Sequence, residues 1–326
     1  MELSFAYFCS RDSAQKTYLK LKDDGILNTA LKPMPQGDFI AFPVTSGTEK
    51  LMFEPNEKTN YFERLLPLMD QPPSKWNILG NLVIFPKGSC TGEEEYDWEK
   101  IAQVFGCKKI GIQDEINPGE LRRSQLKLIH GNDGWVSHQE NFVIYEFDAS
   151  KVMFSSGNIT ERRRMGQMDC EGEIIVDAYC GIGYYSIPFL ARANAAHVHA
   201  CEMNPDSIEA LNKGLLCNRI QEKCTIHQGD NQSTLPNLRE IADRVILGLI
   251  PSSEPTWKLA VDCLKPEGGI IHVHMNVDER KLDEWMAQTI DKFSRLSGKK
   301  ATAIHLEKVK WYCPHIRHVV LDIRIG

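Results

Sequence analysis

An acidic residue and two closely spaced glycines form the clearest candidate site in the sequence. Asp177 ends a short run of β-branched residues, and Gly181 and Gly183 follow it in the pattern D-x-x-x-G-x-G. Glycines after a strand let the backbone approach a ligand closely, and the next helix directs its N-terminal amides to the same place. A dinucleotide-binding turn would need a third glycine where this chain has Ser186. The pattern favours a cationic cofactor without phosphates, although it also fits an ordinary tight turn.

Carboxylate and amide side chains end the next two predicted strands. Glu202 closes the second strand, where it can accept both hydroxyls of a ribose, although it also suits the first turn of a helix. Asp230 and Asn231 end the third strand, where they can read an adenine, although an Asp-Asn turn is common. Ligands of open α/β sheets bind along this edge. Three such strand ends in a row favour S-adenosylmethionine, whose amino or sulfonium charge would meet Asp177.

A parallel sheet is needed to bring these strand ends together. In the C-terminal half, strands of five or six residues alternate with helical stretches, including 205–218 and 277–297. This pattern predicts β-α-β units in a doubly wound α/β domain. The last two strands follow each other after a short Cys-Pro turn, so they should form an antiparallel hairpin at the sheet edge. We expect a class I S-adenosylmethionine-dependent transferase domain over residues 151–326.

The first half of the chain has a different pattern. Residues 1–74 mix short apolar stretches with several prolines, which predicts an irregular α+β accessory domain. Residues 75–150 contain several short strands and one helix at about 98–105, which predicts a second small α+β domain. The stretch QPPSK at 71–75 is the best linker candidate between the two.

Composition excludes several classes of protein. With 42% hydrophobic and 25% charged residues in 326, the chain is globular, and no apolar run approaches the roughly 18 residues of a membrane-spanning helix. The acidic N-terminus does not resemble a signal peptide, so we expect an intracellular, cytoplasmic protein without a membrane partner. Ten cysteines include no C-x-x-C pair, and no carboxylate cluster joins the paired histidines, so we expect no metal. The net charge is −6, but basic residues cluster at 151–168 and after 299, so one face could hold RNA.

Two further segments lie where they could meet the cofactor or the acceptor. The segment FSSGNITERRRM at 154–165 looks like a helix start, capped by Asn158 or Thr160. It is either part of the site or a surface helix with a basic face. Three of its side chains could lie over the cofactor: Ser155, Glu161 and Arg162. Pro251 and Ser252 follow the fourth strand, where such enzymes meet their acceptor, and the adjacent Ser253 equally suits a helix cap.

Ordered motifs along the chain resemble one family. They are FSSGNITERRRM, VDAYCGIGYYSIP, CEMNP, GDN, ADRVILGLIPSSE, GGIIHVHMNV and VKWYCPHIRHVVLDIRI, together with LGNLVIFP, INPGELRRSQLKL and HQENFVIYEFDASKVMF of the middle domain. In this order they resemble the family that joins tRNA guanine-37 N1-methyltransferases with the tRNA wybutosine-synthesizing protein 2. The resemblance covers about residues 78–326. It implies S-adenosylmethionine as co-substrate and the anticodon region of phenylalanine tRNA as partner, with a monomer expected.

Two positions distinguish the two activities of that family. The methylating branch carries Phe-Ser-Pro-Arg before a glutamate, and this chain keeps the glutamate as Glu161 but has Gly157 in place of the arginine. It also has Ile-Pro-Ser-Ser instead of an Asn-x-Pro type loop after the fourth strand. The resemblance therefore implies transfer of the 3-amino-3-carboxypropyl group of S-adenosylmethionine to carbon 7 of the tricyclic guanine-37 derivative, a step of wybutosine biosynthesis that releases methylthioadenosine. Guanine-37 N1-methylation is the alternative, and a tRNA-binding subunit without turnover is the alternative of a different class.

The resemblance also implies roles for individual residues. Glu161, Pro251 and Ser252 are expected at the acceptor side as catalytic residues. Arg162 is expected to pair bidentately with the carboxylate of the cofactor. The other expected cofactor contacts are Ser155, Asp177, Gly181, Gly183, Glu202, Asp230 and Asn231. The middle domain would contact tRNA through Arg122, Arg123 and Lys127, and the tricyclic base could stack on Tyr179, Tyr184 or Tyr185, although each of these tyrosines also suits the core.

Overall fold

The computed structural model describes residues 2–54, 61–90, 96–114 and 124–326. Its internal contacts divide the chain into two compact units, Met1–Glu63 and Arg64–Gly326. The sequence predicts a first boundary at 74/75 and a second at 150/151, and that division into three domains stays a prediction. Within the described ranges, the structure contains no helix both long enough and apolar enough to cross a membrane.

The first unit is a four-stranded antiparallel sheet with one long helix. The strands pair in the order β2-β3-β1-β4. The elements are β1 (Glu2–Ser10), α1 (Ala14–Asp23), β2 (Met34–Gln36), β3 (Phe39–Val44) and β4 (Glu49–Phe53), followed by α2 (Tyr61–Leu65) across the boundary. Ala41 of β3 and Phe53 of β4 are completely buried in one cluster, and Phe42 and Val44 of β3 are buried in a second cluster.

The second unit begins with a four-stranded sheet and a hairpin. The elements are β5 (Asn77–Leu79), β6 (Leu82–Pro86), α3 (Trp98–Val104), β7 (Lys109–Gln113), β8 (Leu126–His130), β9 (Trp135–Glu140) and β10 (Val143–Asp148). The sheet has the order β5-β6-β7-β8, and β9 pairs with β10. Val143, Tyr145 and Phe147 are alternate residues of β10, and all three are buried in a core that also includes residues of the large C-terminal sheet. This shared core explains why 64–326 forms one compact unit.

The rest of the chain forms a seven-stranded sheet with helices on both faces. The elements are α4 (Ile159–Gly166), β11 (Ile174–Asp177), α5 (Ser186–Ala191), β12 (His197–Glu202), α6 (Pro205–Cys217), β13 (Cys224–Gln228), α7 (Asn231–Thr234), β14 (Arg244–Leu247), α8 (Trp257–Cys263), β15 (Gly269–Asp278), α9 (Leu282–Ser297), β16 (Ala301–Cys313) and β17 (Ile316–Ile325). The strand order is β13-β12-β11-β14-β15-β17-β16. Five strands are parallel, and β17 runs antiparallel between β15 and β16. Ile175 packs into the core on one face and Val176 into the core on the other, as in a parallel sheet covered on both sides.

The doubly wound sheet and its antiparallel edge hairpin confirm the predicted fold class. The helix expected at 205–218 is α6. The helix expected at 277–297 begins later, at Leu282, because β15 continues to Asp278. Met275 and Val277 pair with Val319 and Arg317 of β17, and this pairing extends the strand beyond the point where the local pattern predicts a helix.

Candidate functional site

The turn after β11 and the end of β12 are joined by hydrogen bonds. The amide of Gly181 donates to Glu202 Oε2 at 2.9 Å, and Glu202 Oε1 accepts the amides of Met203 at 2.9 Å and Asn204 at 2.7 Å. Burial raises the pKa of Glu202, although the three amides oppose this rise. The structure therefore brings together the glycine turn and the carboxylate that the sequence places on a neighbouring strand.

Two glycines of this turn adopt conformations and contacts that other residues would not tolerate. Gly181 has φ +55° and Gly183 has φ +89°. A Cβ on Gly181 would lie 2.7 Å from the ring of Tyr184, and a Cβ on Gly183 would lie 2.6 Å from Leu211 Cδ1. The positive φ angles and these close approaches explain the D-x-x-x-G-x-G pattern.

Asp177 is buried beneath this turn. Its carboxylate is 0% exposed and accepts hydrogen bonds from Ser186 Oγ at 2.7 Å and from the amide of Tyr179 at 3.3 Å. Burial raises the pKa of Asp177 to about 6. The expected contact with a cofactor charge stays a prediction, and in this structure the buried carboxylate orients the turn and the start of α5.

Asp230 and Asn231 extend the same edge to a third strand. Asp230 is exposed and caps α7 by accepting the amide of Gln232 at 2.7 Å. Asn231 Nδ2 donates to the carbonyl of Ala178 at 3.4 Å, which links the end of β13 to the turn after β11. The ends of β11, β12 and β13 thus form one continuous edge.

Arg162 is buried and forms an ion pair within the protein. It is 1% exposed and forms a bidentate ion pair with Glu140, in which Nη2 lies 2.9 Å from Oε2 and Nε donates to Oε1. Its Nη1 donates to the carbonyl of Ser155 at 2.9 Å, and its guanidinium lies 4.5 Å from the ring centroid of Phe154. The expected pair with a cofactor carboxylate stays a prediction, and in this structure the same guanidinium nitrogens bind Glu140. Arg162 positions the main chain at Ser155.

Glu161 is likewise held inside the protein. It is 0% exposed and accepts two hydrogen bonds from Arg164, at 2.7 and 2.8 Å, and Arg164 also binds Asp322 at 2.7 Å. Burial raises the pKa of Glu161, although the Arg164 cation opposes this. The catalytic role expected for Glu161 at the acceptor side stays a prediction, and in this structure its carboxylate is buried against Arg164. Asn158 occupies the expected N-cap position of α4, although its side chain makes no capping hydrogen bond.

Ser155 lies at the start of this segment, beside a residue that the sequence does not single out. Ser155 Oγ accepts a hydrogen bond from Lys310 Nζ of β16 at 2.6 Å. The two residues are 155 positions apart, so no local pattern links them. Ser155 also lines an elongated, mainly apolar cavity of about 450 Å³ that includes Trp76, Leu79, Ile84 and Phe154.

The loop after β14 contains the two remaining candidates. Pro251 is exposed, and its carbonyl accepts the amide of Asn276 at 3.1 Å. Ser252 Oγ accepts the amide of Glu254 at 3.2 Å, whereas the buried Ser253 binds Trp257 Nε1 at 3.1 Å. Ser252 therefore caps the following turn, and Pro251 presents its ring to solvent at the carboxyl edge.

The tyrosines expected to stack on the base and the basic residues expected to contact tRNA lie in different surroundings. Tyr185 packs in the core against the ring of His274, with centroids 4.9 Å apart, and Tyr184 donates its hydroxyl to the carbonyl of Met153. Lys127 is exposed on β8, whereas Arg122 and Arg123 lie outside the described residues. Within the described part of the chain, no group of three or more His, Cys, Asp or Glu side chains is arranged to hold a metal ion.

Models of two protein families match the chain. The TRM5/TYW2 methyltransferase domain matches residues 136–304, and the TYW2 N-terminal domain matches residues 63–134. The chain belongs to the TRM5/TYW2 family. The match thus covers both the parallel sheet and the strands before it.

Relatives of this TRM5/TYW2 chain are named as tRNA wybutosine-synthesizing proteins. The tRNA wybutosine-synthesizing protein 2 homolog of Danio rerio is 39% identical over 293 residues, which are 77% of this chain and 71% of the relative. The tRNA wybutosine-synthesizing protein 2/3/4 of Arabidopsis thaliana is 44% identical over 267 residues, which are 79% of this chain and 27% of the relative. The chain therefore spans about a quarter of the plant relative that it matches.

Solved structures of the same family have the same fold. M. jannaschii TYW2 in complex with AdoMet is 25% identical, with a TM-score of 0.63 over 77% of this chain and 99% of that one. P. horikoshii TYW2 in complex with MeSAdo is 27% identical, with a TM-score of 0.68 over 81% of this chain and 97% of that one. These likenesses confirm the class I methyltransferase fold of this TRM5/TYW2 family member.

Proposed function

We propose that this TRM5/TYW2 family member transfers the 3-amino-3-carboxypropyl group of S-adenosylmethionine to carbon 7 of the tricyclic guanine-37 derivative of phenylalanine tRNA. The observation that carries the choice of branch is the match of residues 63–134 to the TYW2 N-terminal domain. Gly157, where the methylating branch has arginine, and the Ile-Pro-Ser-Ser loop support the same branch.

The residues at the carboxyl edge suit S-adenosylmethionine. Gly181 and Gly183 form a tight turn with positive φ angles, and Glu202 lies beside it with a carboxylate that can accept ribose hydroxyls. Asp230 and Asn231 extend the same edge, where the adenine would lie. Asp177 holds the turn from below. We therefore assign the adenosine half of the cofactor to the ends of β11, β12 and β13.

The sulfonium of S-adenosylmethionine supplies three electrophilic carbons, and the carbon held in line with the nucleophile is the one transferred. In the proposed reaction, carbon 7 of the base forms a bond to the tail carbon as the bond from that carbon to sulfur breaks. Methylthioadenosine leaves and carbon 7 loses its proton. The contribution of this chain is orientation: Arg162 holds the Ser155 segment, and Pro251 and Ser252 shape the loop at the acceptor side.

We propose that the tRNA partner contacts the edge hairpin and the middle strands. Trp311 and Tyr312 near the tip of β16 are 52% and 60% exposed, and Arg317 lies 3.9 Å from the ring centroid of Trp311. Exposed aromatic rings beside cations suit the unpaired bases of an anticodon loop. Lys127 offers a further phosphate contact. A monomeric state and a cytoplasmic location complete the proposal.

Mass spectrometry of the small-molecule product tests the reaction. The protein is incubated with S-adenosylmethionine and phenylalanine tRNA that bears the tricyclic precursor, beside a Glu202→Ala control that should form no product. Methylthioadenosine, with a matching mass increase of the tRNA, is the expected result. Adenosylhomocysteine would mean methyl transfer, and the absence of any product with intact cofactor binding would mean a tRNA-binding subunit.

A further inference from the structure

Lys310 is a partly buried cation without an acidic partner among the residues that the structure describes. Its Nζ donates to Ser155 Oγ at 2.6 Å. The neighbouring cations Lys308 and Arg317 instead share Glu279, at 3.2 and 3.1 Å. Burial lowers the pKa of Lys310, and the positive charge of Arg162 lowers it further. An uncompensated cation in this setting indicates a ligand with a negative charge.

Gly157 makes room for this lysine. A Cβ on Gly157 would lie 2.9 Å from Lys310 Cδ and 3.3 Å from Lys310 Nζ. Both approaches are closer than ordinary van der Waals contact, so a larger residue at 157 would push the lysine side chain away from Ser155. The lysine side chain thus crosses over Gly157 to reach the serine.

Lys310 and Ser155 present a pair of hydrogen-bond donors. One of the three N–H groups of the ammonium is used on Ser155 Oγ, and the hydroxyl of Ser155 keeps its own hydrogen to donate. Two adjacent donors, one of them charged, suit an oxyanion. Arg162, on the same segment as Ser155, is committed to Glu140.

The segment that carries Ser155 is attached to the glycine turn. The hydroxyl of Tyr184 donates to the carbonyl of Met153, and the ring of Tyr184 covers Gly181, where a Cβ would meet it at 2.7 Å. Tyr184 therefore anchors the segment that carries Ser155 to the turn that the proposed function assigns to the cofactor.

We propose that Lys310 and Ser155 bind the carboxylate of the 3-amino-3-carboxypropyl group of S-adenosylmethionine. This assignment rests on the proposed function and replaces the contact that the sequence predicts for Arg162. A cation that holds the carboxylate restrains the tail carbon that reacts, which favours its alignment with the acceptor. A phosphate of the tRNA is the other source of an oxyanion, and the test below separates the two.

Calorimetric titration of Lys310→Met with two ligands tests the assignment. S-adenosylmethionine carries the carboxylate, and methylthioadenosine lacks it. We expect S-adenosylmethionine to bind roughly ten- to hundredfold more weakly, which is the usual effect of losing a hydrogen bond to a charged group. Methylthioadenosine should bind as to the wild type, which also shows that the variant is folded. Lys310→Arg should restore part of the affinity, and Lys308→Met on the same strand is the matched control.

Two outcomes would overturn the proposal. Equal loss for both ligands would mean that Lys310 only supports the fold of the site. Unchanged affinity for both ligands would mean that the cation does not contact the cofactor, and weakened tRNA binding in that case would identify a phosphate as the oxyanion. Release of adenosylhomocysteine in the product experiment would remove the proposed function, whereas a selective loss of S-adenosylmethionine binding would still support the carboxylate contact.

Discussion

Replacing Glu140 by glutamine is expected to destabilise the protein strongly. Glu140 is 8% exposed and Arg162 is 1% exposed, so Glu140→Gln leaves a buried guanidinium without its counter-charge. Breaking a buried ion pair from one side costs about 3–5 kcal/mol. Because Arg162 also holds the carbonyl of Ser155 at 2.9 Å, we expect cofactor binding to weaken as well.

The ion pair should also appear in the dependence of stability on pH. Burial opposes the ionisation of Glu140, but hydrogen bonds from His138 and Arg162 outweigh it and hold the pKa of the carboxyl below its ordinary value of 4.5. A depressed pKa contributes stability that is complete above the unfolded pKa and is lost as the pH falls through the folded value. The difference between wild type and Glu140→Gln should therefore be full at pH 7 and shrink below about pH 4.

Urea unfolding followed by circular dichroism at pH 7 and pH 3.5 measures both effects. Arg162→Met and the double variant complete a thermodynamic cycle, and the double variant should lose less than the sum of the single losses, by about 1–3 kcal/mol. Glu209→Gln, which breaks the exposed pair with Lys213, is the matched control and should change stability by less than about 0.5 kcal/mol. A loss below about 1 kcal/mol for Glu140→Gln, or additive losses, would refute the role of this pair.

Three further variants test other parts of the site. Burial raises the pKa of Asp177 from 3.8 to about 6, so the free energy of unfolding of the wild type should fall as the pH rises from 4 to 6. Asp177→Asn should lack this fall and should gain up to about 3 kcal/mol at pH 7. Urea unfolding at pH 4 and pH 7 measures the difference, and equal behaviour of the two proteins would contradict the prediction. Gly183 has φ +89°, and the methyl group of Gly183→Ala would lie 2.6 Å from Leu211. The variant should lose about 1–3 kcal/mol of unfolding free energy and should bind S-adenosylmethionine more weakly in calorimetry. An unchanged melting temperature would argue against the strained turn. Trp311→Ala should weaken tRNA binding in a filter assay by roughly five- to hundredfold without changing cofactor affinity, and equal tRNA affinity would exclude the hairpin as a contact.

The fold and one half of the site follow from local patterns in the sequence. Alternating strands and helices predict a parallel sheet, and in such a sheet the carboxyl ends of neighbouring strands meet at one edge. For this reason Gly181 and Glu202, 21 positions apart, are correctly expected together, and their hydrogen bond measures 2.9 Å. The pattern of apolar residues is a weaker guide where tertiary pairing extends a strand, as β15 shows by continuing to Asp278.

The other half of the site depends on contacts between distant residues. Arg162 and Arg164 look equivalent in the sequence, yet one pairs with Glu140 and the other with Glu161 and Asp322. Successive residues of a helix point about 100° apart, so neighbouring side chains of α4 face different elements. The sequence of α4 alone contains neither Glu140 nor Asp322, and it therefore does not predict the ion pairs that Arg162 and Arg164 form with them.

The sequence by itself determined the sheet, the glycine turn and the edge at which a cofactor can bind, because each depends on spacing within one strand-turn-helix unit. Only the tertiary structure decided which charges are neutralised inside the protein and which remain for a ligand. Lys310 reaches Ser155 across 155 positions because the hairpin of β16 and β17 packs beside β15. Burial then sets its chemistry, since a partly buried cation with no carboxylate partner among the described residues interacts strongly with any anion that enters the site.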